Sequence, residues 1–229
     1  MRLDKYLSNA GSGSRKYVKQ HIRKGSVEVE DIVIKDPKFD VPADAAVKLG
    51  GERIILESGI YFMLNKPRSV ITSTESGRTK TVMDLIDHPQ KGDLFPVGRL
   101  DKDTTGLLVI TDDGKLSHEL LTPKNKIGKT YIATLRDEID ASDISKLEAG
   151  IPLKDFTASP ASAKKLADNV VELTITEGKF HQVKRMFQYL GNEVDGLKRI
   201  AFHTLNLDET LDEGGYRRLT DKEIDMLKK

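Results

Sequence analysis

Residues 98–111, Gly98-Arg99-Leu100-Asp101-Lys102-Asp103-Thr104-Thr105-Gly106-Leu107-Leu108-Val109-Ile110-Thr111, decide the reading of this sequence. The first nine residues form the most polar loop between two apolar segments. Phe95-Pro96-Val97 precedes it and the Leu107 run follows. That run has the length of a buried strand, far short of the ~20 residues that span a bilayer. The residues leave three readings open. The Asp and Thr side chains can bond nearby backbone N–H groups in an ordinary turn. Asp101, Asp103, Thr105, Gly106 and Asp112 also fall at positions 1, 3, 5, 6 and 12 of the EF-hand calcium-loop template. That motif needs a helix on each side, and Pro96, Gly98 and the strand-like Leu107 run argue against both. Finally, a loop between buried strands can hold a carboxylate rigidly with its face open to substrate, and a nearby cation would favour its charged form. The residues by themselves do not say which acid would serve.

Outward from the loop, apolar and alternating segments follow one another without βαβ spacing. Tyr61-Phe62-Met63-Leu64 reads as a buried strand ended by Asn65-Lys66-Pro67. Leu94-Phe95, Lys129 to Leu135 and Val170 to Thr176 read as strands, and Ser117 to Leu121 and Ile144 to Leu147 as helices. From His181 to Leu190 the spacing of Val183, Met186, Phe187 and Leu190 predicts a helix stopped by Gly191. Its polar side carries His181, Lys184 and Gln188, flanked by Lys179 and Arg185. This mixture predicts an α+β fold with a mainly antiparallel sheet.

The chain has 229 residues, and its 37 basic and 36 acidic side chains nearly cancel, to a net charge of +1. The cancellation hides an asymmetry. Residues 1–25 carry Arg2, Lys5, Arg15, Lys16, Lys19, Arg23 and Lys24 against Asp4 alone. Two short helices are predicted there, from Leu3 to Ser8 and from Arg15 to Lys24. Gly11-Ser12-Gly13 separates them, Ser14 caps the second and Gly25 ends it. Tyr17, Val18 and Ile22 form the second helix's apolar side, and Lys16, Lys19 and Arg23 line up as a basic stripe. Val27-Glu28-Val29 and Ile32-Val33-Ile34 alternate around Glu30-Asp31 as a hairpin. A boundary is expected near Glu57-Ser58-Gly59, giving domains over 1–56 and 60–229. The absence of cysteine excludes disulfides, a thiolate nucleophile and every Cys-containing zinc site. The charged start, Met1-Arg2-Leu3-Asp4-Lys5, has no apolar core of a signal peptide, so a cytoplasmic protein is expected.

Two resemblances sharpen this picture. Arg2-Leu3-Asp4-Lys5-Tyr6-Leu7, Ser14-Arg15, Ile22-Arg23-Lys24-Gly25 and Val27-Glu28-Val29 resemble the S4 RNA-binding module. This implies phosphate contacts by Arg2, Arg15, Lys16, Lys19, Arg23 and Lys24, which position a protein on RNA without reading its sequence. The loop Gly98 to Leu108 resembles the active-site signature of the pseudouridine synthases. Lys129-Thr130-Tyr131 resembles their tyrosine motif, and Glu177-Gly178-Lys179-Phe180-His181-Gln182-Val183-Lys184-Arg185-Met186-Phe187 their basic motif. Tyr61 to Pro67, Thr111-Asp112-Asp113-Gly114 and Gly215-Tyr216-Arg217 fit the branch that acts on small-subunit rRNA. Large-subunit relatives usually carry an Asn-Arg-Glu-Val-type string where this chain has His181-Gln182-Val183-Lys184.

The resemblance implies that Asp101 is the essential carboxylate, Lys184 its basic partner and Tyr131 the ring that stacks on uracil. Arg99 would fill the gap left by an extruded nucleotide or hold its phosphate, and His181, Gln182 and Arg185 would contact substrate. The implied reaction isomerises uridine to pseudouridine without redox change or group transfer, so no cofactor or metal is expected. The implied partner is 16S rRNA, bound by a monomer. The segment Pro123 to Gly128 carries no interpretable signal.

Overall fold

The computed structural model describes every residue except Ser58 and Ser76. The chain divides into two compact units: Met1–Gly59 with Asp87–Leu94, and Ile60–Ile86 with Phe95–Lys229. The expected boundary near 57–59 includes Ser58, which lies outside the described residues. Nothing in the sequence set the segment Asp87–Leu94 apart from the second domain.

In the first unit, α1 (Leu3–Asn9) and α2 (Arg15–Arg23) precede β1 (Val27–Val29), β2 (Ile32–Val33), β3 (Val47–Leu49) and β4 (Glu52–Ile54). The strands form an antiparallel sheet in the order β2-β1-β3-β4. Leu3, Leu7, Val18, Ile22, Val27, Val29, Val41 and Val47 make its core. Each such side chain contributes roughly 1.5–3 kcal/mol when fully buried. Ser14 caps α2 by accepting a hydrogen bond from the Tyr17 N–H at 3.3 Å. Gly25, at φ +79°, lets the chain leave the helix. Glu30 and Asp31 both have positive φ, as a tight hairpin turn between β1 and β2 requires. Tyr17, expected on the apolar side of α2, is 49% exposed instead.

The second unit contains β5 (Tyr61–Lys66), β6 (Phe95–Pro96), β7 (Thr105–Thr111), α3 (Gly114–Leu121), β8 (Lys129–Leu135), α4 (Ala141–Ala149), β9 (Ser162–Ala167), β10 (Val170–Ile175), α5 (Gln182–Tyr189), β11 (Val194–Phe202), β12 (Leu205–Asn206), β13 (Tyr216–Arg218) and α6 (Asp221–Leu227). Its sheet runs β13-β5-β7-β11-β8-β10-β9, with β12 paired to β11 and β6 to β7. Every pairing is antiparallel except β7 with β11. The fold is therefore α+β with a mixed, mainly antiparallel sheet, as expected.

β5 and β7 are buried along their whole lengths, which explains their unbroken apolar runs. The parallel seam depends on Gly106. Its φ is +97°, and a Cβ there would lie 2.2 Å from the Arg199 carbonyl oxygen, so only glycine lets β7 approach β11 this closely. Helix starts follow sequence rules. Asp113 accepts from the Leu116 N–H at 2.9 Å and Asp140 from the Asp143 N–H at 2.8 Å. Arg217 joins β13 to α6 by donating to Glu223 at 2.8 Å and to Asp208 at 2.6 Å. Among the described residues no helix is long and apolar enough to cross a membrane.

Candidate active site

A cleft of about 1140 Å³ opens on one face of the second unit's sheet. Its floor is set by strand register. Tyr131 of β8 lies opposite Arg199 of β11, and alternation puts Lys129 and Leu197 on the same face. All four line the cleft, with Ile175 of β10 beside them. The walls include residues 71–75, 98–102 with Thr104, and the turn 177–184. The volume exceeds the roughly 300–1,000 Å³ usual for small-molecule pockets, so the cleft has room for a nucleotide and part of its chain.

The acidic loop is held from below. Lys66, at the end of β5, is fully buried. Its ammonium donates to the carbonyls of Pro67 at 3.0 Å, Lys102 at 3.3 Å and Thr104 at 2.8 Å. Burial pushes its pKa down to about 8, against the opposing pull of Asp103 and Asp101. The Thr72 hydroxyl donates to the Leu100 carbonyl at 2.8 Å and accepts from the Leu100 N–H at 3.1 Å. The Thr104 N–H closes the turn on the Asp101 carbonyl at 3.1 Å. These bonds hold backbone on both sides of Asp101 while its carboxylate stays 30% exposed.

Two cationic or polar groups from the start of α5 face that carboxylate. His181 Nε2 lies 3.6 Å from one Asp101 oxygen and Lys184 Nζ 3.9 Å from the other. The expected pairing of Lys184 with Asp101 is present, and Lys184 also binds Asp103 more closely, with both oxygens at 2.5 and 2.6 Å. Burial would raise the Asp103 pKa, but the hydrogen bond and charge of Lys184 outweigh it and hold the carboxyl below its ordinary range. His181 is the N-cap of α5 rather than a residue of its first turn, with φ +49°. Phe180, 70% exposed, stacks on its ring at 3.8 Å.

The remaining expected residues differ in their contacts. Arg99 is exposed at the cleft. Gln182 is buried at the cleft lining; it donates to Glu177 at 2.7 Å and accepts from the Lys179 N–H at 3.0 Å, so it braces the turn. Arg185 forms an ion pair with Asp155 and lies over the Phe156 ring. The calcium reading fails on its flanks, since Thr105–Thr111 is a strand and Asp112 accepts from the Ile60 N–H at 2.8 Å.

In the first unit, Arg15, Lys16, Arg23 and Lys24 are exposed. Arg2, also exposed, and the partly exposed Lys19 pair with the buried Asp4, at 2.8 and 3.5 Å. Burial would raise the Asp4 pKa, but hydrogen bonds and charge from these two cations leave it below the usual carboxylate range. Lys19 keeps its place on α2 between Lys16 and Arg23 while pairing with Asp4.

Sequence reading missed Lys66 and Arg199. A lysine prolonging the apolar run Tyr61 to Leu64 was the available sign of the first. For Arg199 the sign was an adjacent pair of charges, Lys198-Arg199, of which a strand must turn one inward.

The family described as RNA pseudouridylate synthase matches residues 60–189, and the S4 domain matches residues 1–47. Ribosomal small subunit pseudouridine synthase A of Vibrio cholerae is 44% identical, over 98% of this chain and 98% of that protein. A Bacillus subtilis protein named Uncharacterized RNA pseudouridine synthase YtzG is also 44% identical, over 99% of this chain and 98% of its own length. A crystal structure of a pseudouridylate synthase, 38% identical, superposes with a TM-score of 0.72 over 99% of both chains.

Proposed function

The chain belongs to the RNA pseudouridylate synthase family and carries an S4 domain at its N-terminus, and from that premise we propose that it isomerises one uridine of 16S rRNA in the cytoplasm, with Asp101 as the essential carboxylate. The observation that carries the reading is Asp101 itself: a partly exposed carboxylate on a braced loop, facing Lys184 and His181 across the cleft that holds Tyr131. The string from His181 to Met186 favours the small-subunit branch.

The glycosidic carbon of a stacked uridine is shielded, so the nucleotide must leave its stack. This costs a few kcal/mol, less in irregular RNA. Tyr131 offers a ring for the extruded base to lie against. Arg99, exposed at the rim, can hold phosphate or occupy the vacated stack. Asp101 then bonds to the sugar or the base, or removes a sugar proton; each route needs it close to the ribose. Phosphate contacts from Arg15, Lys16, Arg23 and Lys24 add affinity that helps offset extrusion.

The test maps pseudouridines by carbodiimide-blocked primer extension on rRNA from cells with and without this protein. A 16S stop that disappears with the protein, and that Asp101→Asn does not restore, is the expected result. A change confined to 23S rRNA would overturn the small-subunit assignment, and unchanged stops in both would overturn the enzyme reading.

A further inference from the structure

The floor of the cleft holds two cations to which the proposed reaction gives no task so far. Arg199 is 2% exposed. Its Nε donates to the Leu107 carbonyl at 2.8 Å, yet its Nη2 is buried and, among the described residues, has no hydrogen-bond partner. The guanidinium lies 4.9 Å from the centre of the Phe202 ring. Lys129 lies near the same ring, at 5.8 Å, and donates to the Ile127 carbonyl at 2.9 Å. Among the described residues, neither cation forms a salt bridge with a carboxylate. Burial first, and then the charge of Arg199, push the Lys129 ammonium below its ordinary range, with Glu177 only partly opposing.

A buried N–H without an acceptor is costly, and a desolvated charge without a counter-ion costs more. The fold therefore keeps an uncompensated positive site directly opposite Tyr131 in register. It fits a ligand that brings an acceptor and negative charge to that place.

We propose that Arg199, supported by Lys129, donates to a carbonyl oxygen of the uracil and stabilises the negative charge that the base carries once its bond to the sugar breaks. This rests on the pseudouridine synthase reading and makes Arg199 a catalytic residue of it. The electron pair of the C1′–N1 bond leaves on uracil and spreads over N1, O2 and O4. Asp101 meets the deficit at the sugar, either by bonding to C1′ or by removing the C2′ proton. The anion turns, and C5 forms the new bond to C1′. Asp101 is then released, or the C2′ proton is returned. C5 loses its proton and N1 gains one, so the product has the atoms and charge of the substrate. If Asp101 attacks the base ring instead, the charge falls on O4, again an acceptor for a guanidinium. Preorganised donors aimed at developing charge in a dry site give the largest single effects in catalysis. A donor at this place also favours uracil, whose O2 and O4 both accept, over cytosine, whose C4 amino group donates.

The test compares wild type and Arg199→Met in single turnover on rRNA transcripts carrying uridine, 2-thiouridine or 4-thiouridine at the mapped position. Sulfur is the poorer acceptor. The expected results are a rate loss of about 10²-fold with uridine, the size seen when one such donor is removed, and RNA affinity within about twofold of wild type. One of the two thio substitutions should slow wild type but add nothing in the variant, as a double-mutant cycle requires of two groups in contact. Thio effects of equal size in both proteins, or parallel loss of affinity and rate, would overturn the proposal. Conversion of uridine by wild type carries the functional reading separately, so the two cannot fail as one. If thermal melting shows Arg199→Met unfolded, Arg199→Lys, which keeps the charge but loses the fork, carries the same cycle with a smaller loss.

Discussion

Lys184 lies 2.5 Å from Asp103 and 3.9 Å from Asp101, so the cation nearest the proposed active carboxylate is held chiefly by its neighbour. Asp103 is 60% exposed, twice as much as Asp101. The arrangement gives the two acids different work. Asp103 fixes the ammonium, and Asp101 keeps oxygens open to the cleft.

The two carboxylates should therefore separate on mutation. Asp101→Asn should remove about 10³-fold or more of the single-turnover rate, within the range for loss of an acid–base or nucleophilic group. Asp103→Asn should cost no more than about 5-fold, the factor carried by ~1 kcal/mol of a solvent-exposed pair. Tritium release from C5-labelled uridine in rRNA measures both. Equal losses would remove the distinction.

Lys66 predicts an alkaline limit. Its three ammonium protons match three carbonyls around the acidic loop. Above a pKa of about 8 one proton is lost and one bond with it. The rate should be full below pH 8 and fall above it. Stability should move the other way. The unfolded lysine holds its proton up to 10.5, so between about 8 and 10.5 the unfolded chain binds more protons and linkage raises the unfolding free energy. A rate that falls while stability rises, and a limb absent from Lys66→Met, would identify the loop as the titrating feature. A flat profile through pH 9 would refute it.

The basic residues of the S4 domain should divide by partner. Replacing Arg15, Lys16, Arg23 and Lys24 by Ala should weaken RNA binding and flatten its salt dependence by about 0.7–0.9 log units per lost phosphate contact. Replacing Arg2 and Lys19 by Met should instead lower the domain's melting temperature, because Asp4 would be left buried without its cations. Titrations at several salt concentrations, with thermal melts, distinguish the two sets.

Acid should loosen the β13–α6 junction. Glu223 is held at a pKa of about 2, below its ordinary 4.5, by hydrogen bonding to Arg217, with burial opposing. A depressed carboxyl contributes stability that is complete above 4.5 and lost as pH falls toward 2. The stability difference between wild type and Glu223→Gln should shrink across that window. A difference that stays constant from neutral pH to pH 2 would exclude the linkage.

Much of this architecture is legible along the chain because burial is local. β7 and β5 announce themselves as apolar runs, and Ser14, Asp113 and Asp140 stand before helices as caps. β11 escaped notice although it lies at the centre of the sheet. Asp195, Gly196, Lys198 and Arg199 make it look like a loop, and only its neighbours β7 and β8 justify them. At the site, Asp101 and Tyr131 came from motif resemblance. The braces did not, because Lys66 becomes meaningful only when strand pairing brings β5 beside the end of the acidic loop.

The parallel seam also sets an order of assembly. β7 and β11 meet through two register pairs only, Thr105 with Lys198 and Gly106 with Arg199. The chain between them is long, so closing the seam costs entropy that few contacts return at once, and such pairings form late. The Asp101 loop runs directly into Gly106, and the cleft floor opposite it includes β11. A nascent chain that has emerged only as far as β10 has its carboxylate, Tyr131 and Ile175 but lacks Lys184 of α5 and Arg199 of β11, so the cleft is completed only by residues made after β10.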